Sequence, residues 1–251
     1  MHLKQKIVAN ELTIGSWITI GSTSIPEILS SAGFDWLTID MEHSSINLQS
    51  AQELIIAIKS KKISPLIRVG KNDELIIKQA MDIGADGVIV PMVNNKEDAL
   101  QAVSSVKYPP MGNRGVGLYK AQNYGIGFDN YKSWLDKSSI VIAQIEHIDG
   151  VNNIDEIISV EGIDAVIIGP YDLSASLGIP GQLSHYSLME AMLKVETACF
   201  KKGKTLGSHV IKPDHSEINE KIKKGYRFIG FSIDFYFLGE KARVEMKGVN
   251  R

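Results

Sequence analysis

Two acidic residues in this chain follow directly on apolar runs: Glu146 comes after Val141-Ile142-Ala143-Gln144-Ile145, and Asp172 after Ala165-Val166-Ile167-Ile168-Gly169-Pro170-Tyr171. Paired carboxylates at such places suit one hard cation, Mg²⁺ or Mn²⁺, whose remaining positions go to water and substrate oxygens; zinc would ask for more His or Cys. Each also has a plainer reading as a helix cap, and Asp172-Leu173-Ser174 is a serviceable helix start. Arg68 ends another apolar run. Its planar, permanently charged guanidinium is shaped to grip a carboxylate at two points, or to make a structural salt bridge with Asp40 or Glu42. Histidine titrates closest to neutrality of all side chains, so His43 in Asp40-Met41-Glu42-His43 is suited to moving protons, with carboxylates at hand to orient its ring. A solvated loop histidine is the alternative. His147 and His209 read as structural or supporting, and His2, His185 and His215 as surface residues.

Such residues act together only if the fold brings the ends of their runs to one place. Short runs rich in Val and Ile alternate with longer segments of helical period along the whole chain, which is the pattern of repeated βα units. Eight strands are expected, at Thr13 to Thr19, Asp35 to Ile39, Pro65 to Val69, Gly87 to Val90, Ile140 to Ile145, Asp164 to Ile168, Thr205 to Ser208 and Arg227 to Phe231. Helices are expected over Leu48 to Lys59, Glu74 to Ile83, Lys96 to Val106, Val151 to Ile158, Ser187 to Lys202 and Ser216 to Lys223, several stopping at glycine (Gly84, Gly203, Gly225). Eight such units predict an α/β fold of the (β/α)₈ TIM-barrel type, as a single domain over 1–251. In that fold chemistry collects at the carboxyl ends of the strands. This filter retains Asp40, Glu42, His43, Arg68, Glu146, His147, Asp172, His209 and Asp234. The long interval Asn94 to Ser139, with a second helix around Phe128 to Leu135, is expected at the same mouth. A doubly wound open sheet is the rival, but Gly15-Ser16-Trp17 is no phosphate loop and the chain has no dinucleotide fingerprint.

The composition narrows the classes further. The 251 residues are 44% hydrophobic with a net charge of -2, enough for one large core and without the basic surface that nucleic acid requires. Cys199 is the one cysteine, which fits a reducing compartment. Met1 to Glu11 lack the apolar stretch of a signal peptide, and no apolar run reaches membrane-spanning length, so a cytoplasmic protein is expected.

With these residues in place, the chain closely resembles the HpcH/HpaI aldolases, the metal-dependent class II pyruvate aldolases. The resemblance runs in family order over about residues 15 to 240, through Gly33-Phe34-Asp35-Trp36, Asp40-Met41-Glu42-His43, Ile67-Arg68-Val69, Val90-Pro91-Met92-Val93, Tyr108-Pro109-Pro110-Met111-Gly112-Asn113-Arg114-Gly115, Gln144-Ile145-Glu146 and Ile168-Gly169-Pro170-Tyr171-Asp172-Leu173-Ser174. It implies a barrel of the phosphoenolpyruvate/pyruvate type. It further implies that Glu146 and Asp172 bind a divalent metal (Mg²⁺ or Mn²⁺, with Co²⁺ or Zn²⁺ as alternatives) and that Arg68 grips pyruvate. His43 would serve acid/base chemistry, supported by Asp40 and Asp82, and Gln144, Trp17, Gly169, Pro170 and Tyr171 would line the substrate site. The family's habit of exchanging C-terminal helices within a hexamer implies a homo-oligomer. Lys120 stands where many relatives carry arginine, in a stretch that bears on aldehyde selectivity.

The reaction so implied is reversible aldol cleavage of a 4-hydroxy-2-oxo acid to pyruvate, or a related 2-oxo acid, and an aldehyde. Three rivals stay open. A Schiff-base aldolase would use Lys71 or Lys212. An acyl-CoA or citrate-type lyase on a related barrel would need a basic patch for the CoA diphosphate. A barrel without catalysis would bind the oxo acid alone.

Overall fold

Eight parallel strands close into a barrel in strict chain order in the computed structural model, which describes residues 2–250. They are β1 (Thr13–Ile18), β2 (Trp36–Asp40), β3 (Ser64–Arg68), β4 (Gly87–Val90), β5 (Ile140–Ile145), β6 (Ala165–Ile168), β7 (Thr205–Val210) and β8 (Phe228–Ile233). The helices are α1 (Leu3–Val8), α2 (Ser24–Leu29), α3 (Leu48–Ser60), α4 (Glu74–Asp82), α5 (Lys96–Val106), α6 (Phe128–Ser138), α7 (Ile148–Asn152), α8 (Ile154–Ile157), α9 (Pro170–Ser176), α10 (Tyr186–Lys202), α11 (His215–Lys223) and α12 (Asp234–Lys247). All eight expected strands are present, shifted by no more than two residues. The helix expected over Val151 to Ile158 is instead α7 and α8, divided at Asn153, whose side-chain amide donates to the Asn94 carbonyl at 2.8 Å.

The strands close because each carries apolar residues on both faces. Inward-pointing Trp36, Leu66, Ile89, Ile142, Ile167 and Phe228 fill the barrel, while the outward set packs under the helices. Trp36 stacks on Phe228 with ring centroids 4.2 Å apart. Only glycine fits at position 15, since a Cβ there would lie 2.0 Å from the Trp36 ring. Helix α1 closes the amino-terminal end with Leu3 and Ile7, four residues apart on one face. Burying a side chain of that size contributes about 1.5–3 kcal/mol. Six residues give too short a period to announce this plug beforehand.

Two expectations are corrected here. The segment 107–127 lies at the amino-terminal end of the barrel, opposite the mouth. The chain has already descended along α5 and must begin β5 from that same end, so what intervenes stays there. Arg114 of this segment is buried, donating to Asp82 at the end of α4 and to the Tyr131 hydroxyl at 2.9 Å, while Lys120 lies against Gly84. Lys120 therefore bears on no aldehyde at its own chain's mouth. The C-terminal helix α12 has Asp234 as its one buried residue and leaves Leu238, Val244 and Met246 exposed.

Candidate active site

Arg68 is the last residue of β3, directly beside Asp40, the last residue of β2. The register of these strands makes the pair: Arg68 Nε donates to Asp40 Oδ1 at 3.0 Å and Nη2 to Oδ2 at 2.6 Å. The backbone N–H groups of Glu42 and His43 also donate to Asp40 Oδ1, at 3.0 and 3.2 Å. Burial pushes the Asp40 carboxyl up, but the Arg68 hydrogen bond and charge outweigh it and hold it below the usual carboxylate range. Arg68 is likewise driven down by burial and more than restored by Asp40. The guanidinium lies 4.8 Å over the Trp17 ring, and Trp17 in turn sits 5.0 Å from the ring of His209. The two-point grip expected for a substrate carboxylate is thus spent on Asp40. Of the five guanidinium donors, both on Nη1 and one on Nη2 remain, and this edge faces Glu42 Oε2, 3.3 Å from Nη1.

His209 sits on β7 with Nε2 at 3.2 Å from the Ser232 carbonyl. A carbonyl only accepts, so Nε2 carries the proton. Burial pushes this imidazole down to about 3, against the opposing Ser232 bond, and the ring is neutral at physiological pH. Ser232 is a left-handed residue (φ 58) at a bulge where β8 gains one residue on β1. That bulge brings its carbonyl to both His209 and Ser16.

Glu146 emerges just past β5. Its Oε1 accepts the Met92 N–H at 2.8 Å and its Oε2 accepts the Gln144 side-chain amide. Met92 itself is left-handed (φ 52), a conformation unusual for a side chain of this kind and common at functional sites. Burial pushes the Glu146 carboxyl up; the Gln144 and Met92 bonds pull it down, and the charge of Asp172 raises it further. Asp172 lies in the first turn of α9, exposed, with Gly169 as the N-cap. The helix-cap reading of Asp172 therefore gives way. A Cβ at Gly169 would come within 3.0 Å of both Glu146 Cβ and Oε2, so the bare glycine makes the room that the carboxylate occupies.

Trp17, Asp40, His43, Arg68, Gln144, Gly169, Pro170, Tyr171, Asp172 and His209 all line one cleft of about 290 Å³ at the carboxyl ends of the strands, with Glu146 bonded directly behind Gln144. Of two larger hollows, the one near 730 Å³ lies among outer helices, and the one near 760 Å³ runs from α10 and α11 to the ends of β6 and β7, sharing Ile168, Pro170 and His209 with the cleft. His43 is largely exposed, with Nε2 3.9 Å from Glu42 Oε2.

Asp82 is not brought to this cleft by its own chain. It ends α4 at the far end of the barrel and pairs with Arg114, so support for His43 from Asp82 is withdrawn as a contact within one chain. Asp234 is structural, accepting from Thr19 N, Thr19 Oγ1 and Ile20 N at 2.7–2.8 Å and so tying α12 to the end of β1. Lys71 and Lys212 are exposed and neither lines the cleft.

Sequence reasoning passed over three residues. His209 was set aside as structural, although its place at a strand end was the available signal. Glu42 was kept at the mouth as a partner for Arg68 or an orienter of the His43 ring, with no role of its own. Met92 had no signal, because a left-handed non-glycine residue is invisible in composition.

Among the described residues no three His, Cys, Asp or Glu side chains converge on one point. Glu146 and Asp172, past adjacent strand ends, could offer a hard divalent cation two carboxylates, the other positions falling to water and substrate oxygens.

Comparison with known proteins agrees with this geometry. Residues 13–238 match the model of the HpcH/HpaI aldolase/citrate lyase family. The chain is 39% identical over 236 residues to a hydroxypyruvate/pyruvate aldolase of Roseobacter denitrificans, covering 94% of this chain and 91% of that one. It is 34% identical over 232 residues to a 5-keto-4-deoxy-D-glucarate aldolase of Escherichia coli, covering 92% and 90%. A crystal structure of an HpcH/HpaI aldolase/citrate lyase family protein from Burkholderia cenocepacia superposes with a TM-score of 0.92 at 31% identity, covering 98% of this chain and 97% of that one. With a family match across nearly the whole barrel and the strand-end residues gathered in one cleft, the chain belongs to the HpcH/HpaI aldolase/citrate lyase family.

Proposed function

We propose that this single-domain barrel is a divalent-metal-dependent aldolase that reversibly cleaves a 4-hydroxy-2-oxo acid to pyruvate, or a close 2-oxo acid, and an aldehyde. The observation that carries the reading is one cleft lined by the Asp40-held guanidinium of Arg68 and by Asp172, with Glu146 bonded behind Gln144 and within reach of both their charges. The names of the relatives, a hydroxypyruvate/pyruvate aldolase and a 5-keto-4-deoxy-D-glucarate aldolase, support the same substrate class.

Glu146 and Asp172 would hold the cation, Mg²⁺ or Mn²⁺, which when bound supplies Lewis-acid stabilisation of negative charge developing on the 2-oxo group. Arg68 offers its free Nη1/Nη2 edge to that same oxygen, preset by Asp40 and by the Trp17 face so that little reorganisation accompanies the charge. His43 moves the proton between the C4 hydroxyl and solvent, which its exposure permits. Gln144, Trp17 and the Gly169-Pro170-Tyr171 turn wall the oxo acid. The neutral, half-buried His209 backs Trp17 without adding charge. A Schiff base is disfavoured because neither candidate lysine reaches the cleft, and CoA chemistry because Arg68 is the one Lys or Arg lining it among the described residues.

No described helix is long and apolar enough to cross a membrane; the single, buried, unpaired thiol of Cys199 supports a reducing, cytoplasmic setting. The exposed apolar residues of α12 support a homo-oligomer, a hexamer in the family's manner, with this helix packed on a neighbour.

The test is aldol cleavage monitored by pyruvate release, with oxalate binding measured in parallel. Activity lost to a chelator, restored by Mn²⁺ or Mg²⁺, and absent in Glu146→Ala and Asp172→Ala is expected. Near-normal turnover in folded Glu146→Ala with chelator present would overturn the reading.

A further inference from the structure

Glu42 is the acidic side chain of the mouth to which the mechanism gives no part. Its Oε2 lies 3.3 Å from Arg68 Nη1 and 3.9 Å from His43 Nε2. That oxygen is buried and has no hydrogen-bond partner, so the approach to Arg68 is an ion pair outside hydrogen-bond geometry. A buried carboxylate oxygen left without a donor is costly. Here its compensation is the very guanidinium edge that Asp40 leaves free, and that edge is also what an incoming anion requires.

The charged groups facing Glu42 are Arg68 on β3, Glu146 beyond β5, and Asp40 and His43 on its own segment. Burial raises its proton affinity; Arg68 lowers it, Glu146 and Asp40 raise it again, and His43 lowers it. The guanidinium is thus the main partner favouring the ionised form. When an anion occupies Nη1, that partner is shared and a second negative charge arrives beside Oε2, both of which favour protonation.

We propose that Glu42 stands in for the substrate's oxygen at Arg68 Nη1 when no anion is bound there, and that a binding 2-oxo acid displaces it and leaves it protonated by a proton taken from solvent. The balance is simple: carboxylate plus proton gives the neutral acid, with no bond to carbon made or broken. The new O–H then becomes a donor toward the bound anion. This rests on the reading that a 2-oxo acid binds in the cleft.

The experiment is calorimetric titration of oxalate into the metal-loaded protein in buffers of differing ionisation enthalpy near neutral pH, the slope giving protons taken up per site. The wild type is expected to take up a measurable fraction of a proton per site. In Glu42→Gln, a near-isosteric change whose folding is checked by thermal unfolding, the uptake disappears while oxalate still binds; in His43→Gln it persists. Uptake that survives Glu42→Gln, uptake lost in His43→Gln instead, or wild-type binding without uptake overturns this proposal and leaves the aldolase reading standing. Failure of the folded, metal-loaded wild type to bind oxalate at all overturns both.

Discussion

Substituting Gly169 by alanine tests whether Glu146 is a metal ligand with a change that replaces neither carboxylate. The added Cβ would sit 3.0 Å from Glu146 Cβ and 3.0 Å from its Oε2, with Gln144 Nε2 at 3.6 Å. Carbon contacts relax near roughly 3.5–4.0 Å, so the Glu146 side chain has to give by about half an ångström. It cannot slide freely, because Met92 N–H and the Gln144 amide hold one oxygen each. Metal–ligand distances tolerate only about 0.2 Å, and disturbance of the shell around a ligand lowers metal affinity or activity by about 10–100-fold. That corresponds to about 1.4–2.8 kcal/mol. Gly169 has φ -99, an ordinary value for alanine, so the backbone adds no strain. Expected, then, is a loss of that size in Mn²⁺ affinity by calorimetry, with turnover partly recovered at high metal and the unfolding temperature little changed. Unaltered Mn²⁺ affinity in the folded variant would refute the assignment of Glu146 as a ligand held by this cradle.

Asp40→Asn takes from Arg68 its one hydrogen-bonded carboxylate, leaving Glu42 at 3.3 Å and the charge of Glu146, and removing one partner of a buried pair costs about 3–5 kcal/mol; urea unfolding reads the stability and oxalate titration the loss of a preset guanidinium. His209, held down to about 3 by burial, binds fewer protons folded than unfolded between there and its ordinary value near 6.5. Stability tied to this group is therefore full above about pH 6.5 and falls as pH drops toward 3, and the urea midpoint of His209→Gln loses that part of the slope. Burial pushes the Cys199 thiol up to about 12, so iodoacetamide at mildly alkaline pH leaves the native protein unlabelled and alkylates it fully in denaturant, as mass spectrometry will show.

The barrel was legible because its strands are apolar on both faces and glycines such as Gly203, left-handed at φ 64, punctuate the helices. The strand-end filter found Asp40, His43, Arg68, Glu146 and Asp172 for the same reason: in a closed parallel barrel, chain position after an apolar run is position at the mouth. Residues 107–127 escaped it because a segment between α5 and β5 obeys the descent of the helix and not the rise of the strand, and Asp82 went with them through its pairing to Arg114. The partner of Arg68 was open because either Asp40 or Glu42 is close in sequence. Register decided it, with Asp40 exactly level across β2 and β3 only once the strands pair. Met92 and Ser232 depend on positive φ in non-glycine residues, which tertiary packing imposes and no local pattern announces.

The charges at the mouth make one further demand. Asp40, Glu42, Glu146 and Asp172 meet a single guanidinium, since His209 is neutral. An anionic 2-oxo acid entering that field without a cation meets net repulsion, whereas a divalent ion held by Glu146 and Asp172 would cancel the charge of that pair and relieve most of it. Metal and oxo acid should accordingly bind with positive coupling, on the order of 1–3 kcal/mol or roughly 5–150-fold. Because coupling is reciprocal, oxalate affinity measured with and without Mn²⁺ and Mn²⁺ affinity measured with and without oxalate must change by the same factor. Oxalate that binds equally well to the chelated protein would mean that Arg68 alone anchors the anion, and the two carboxylates would then lose their place in its recognition.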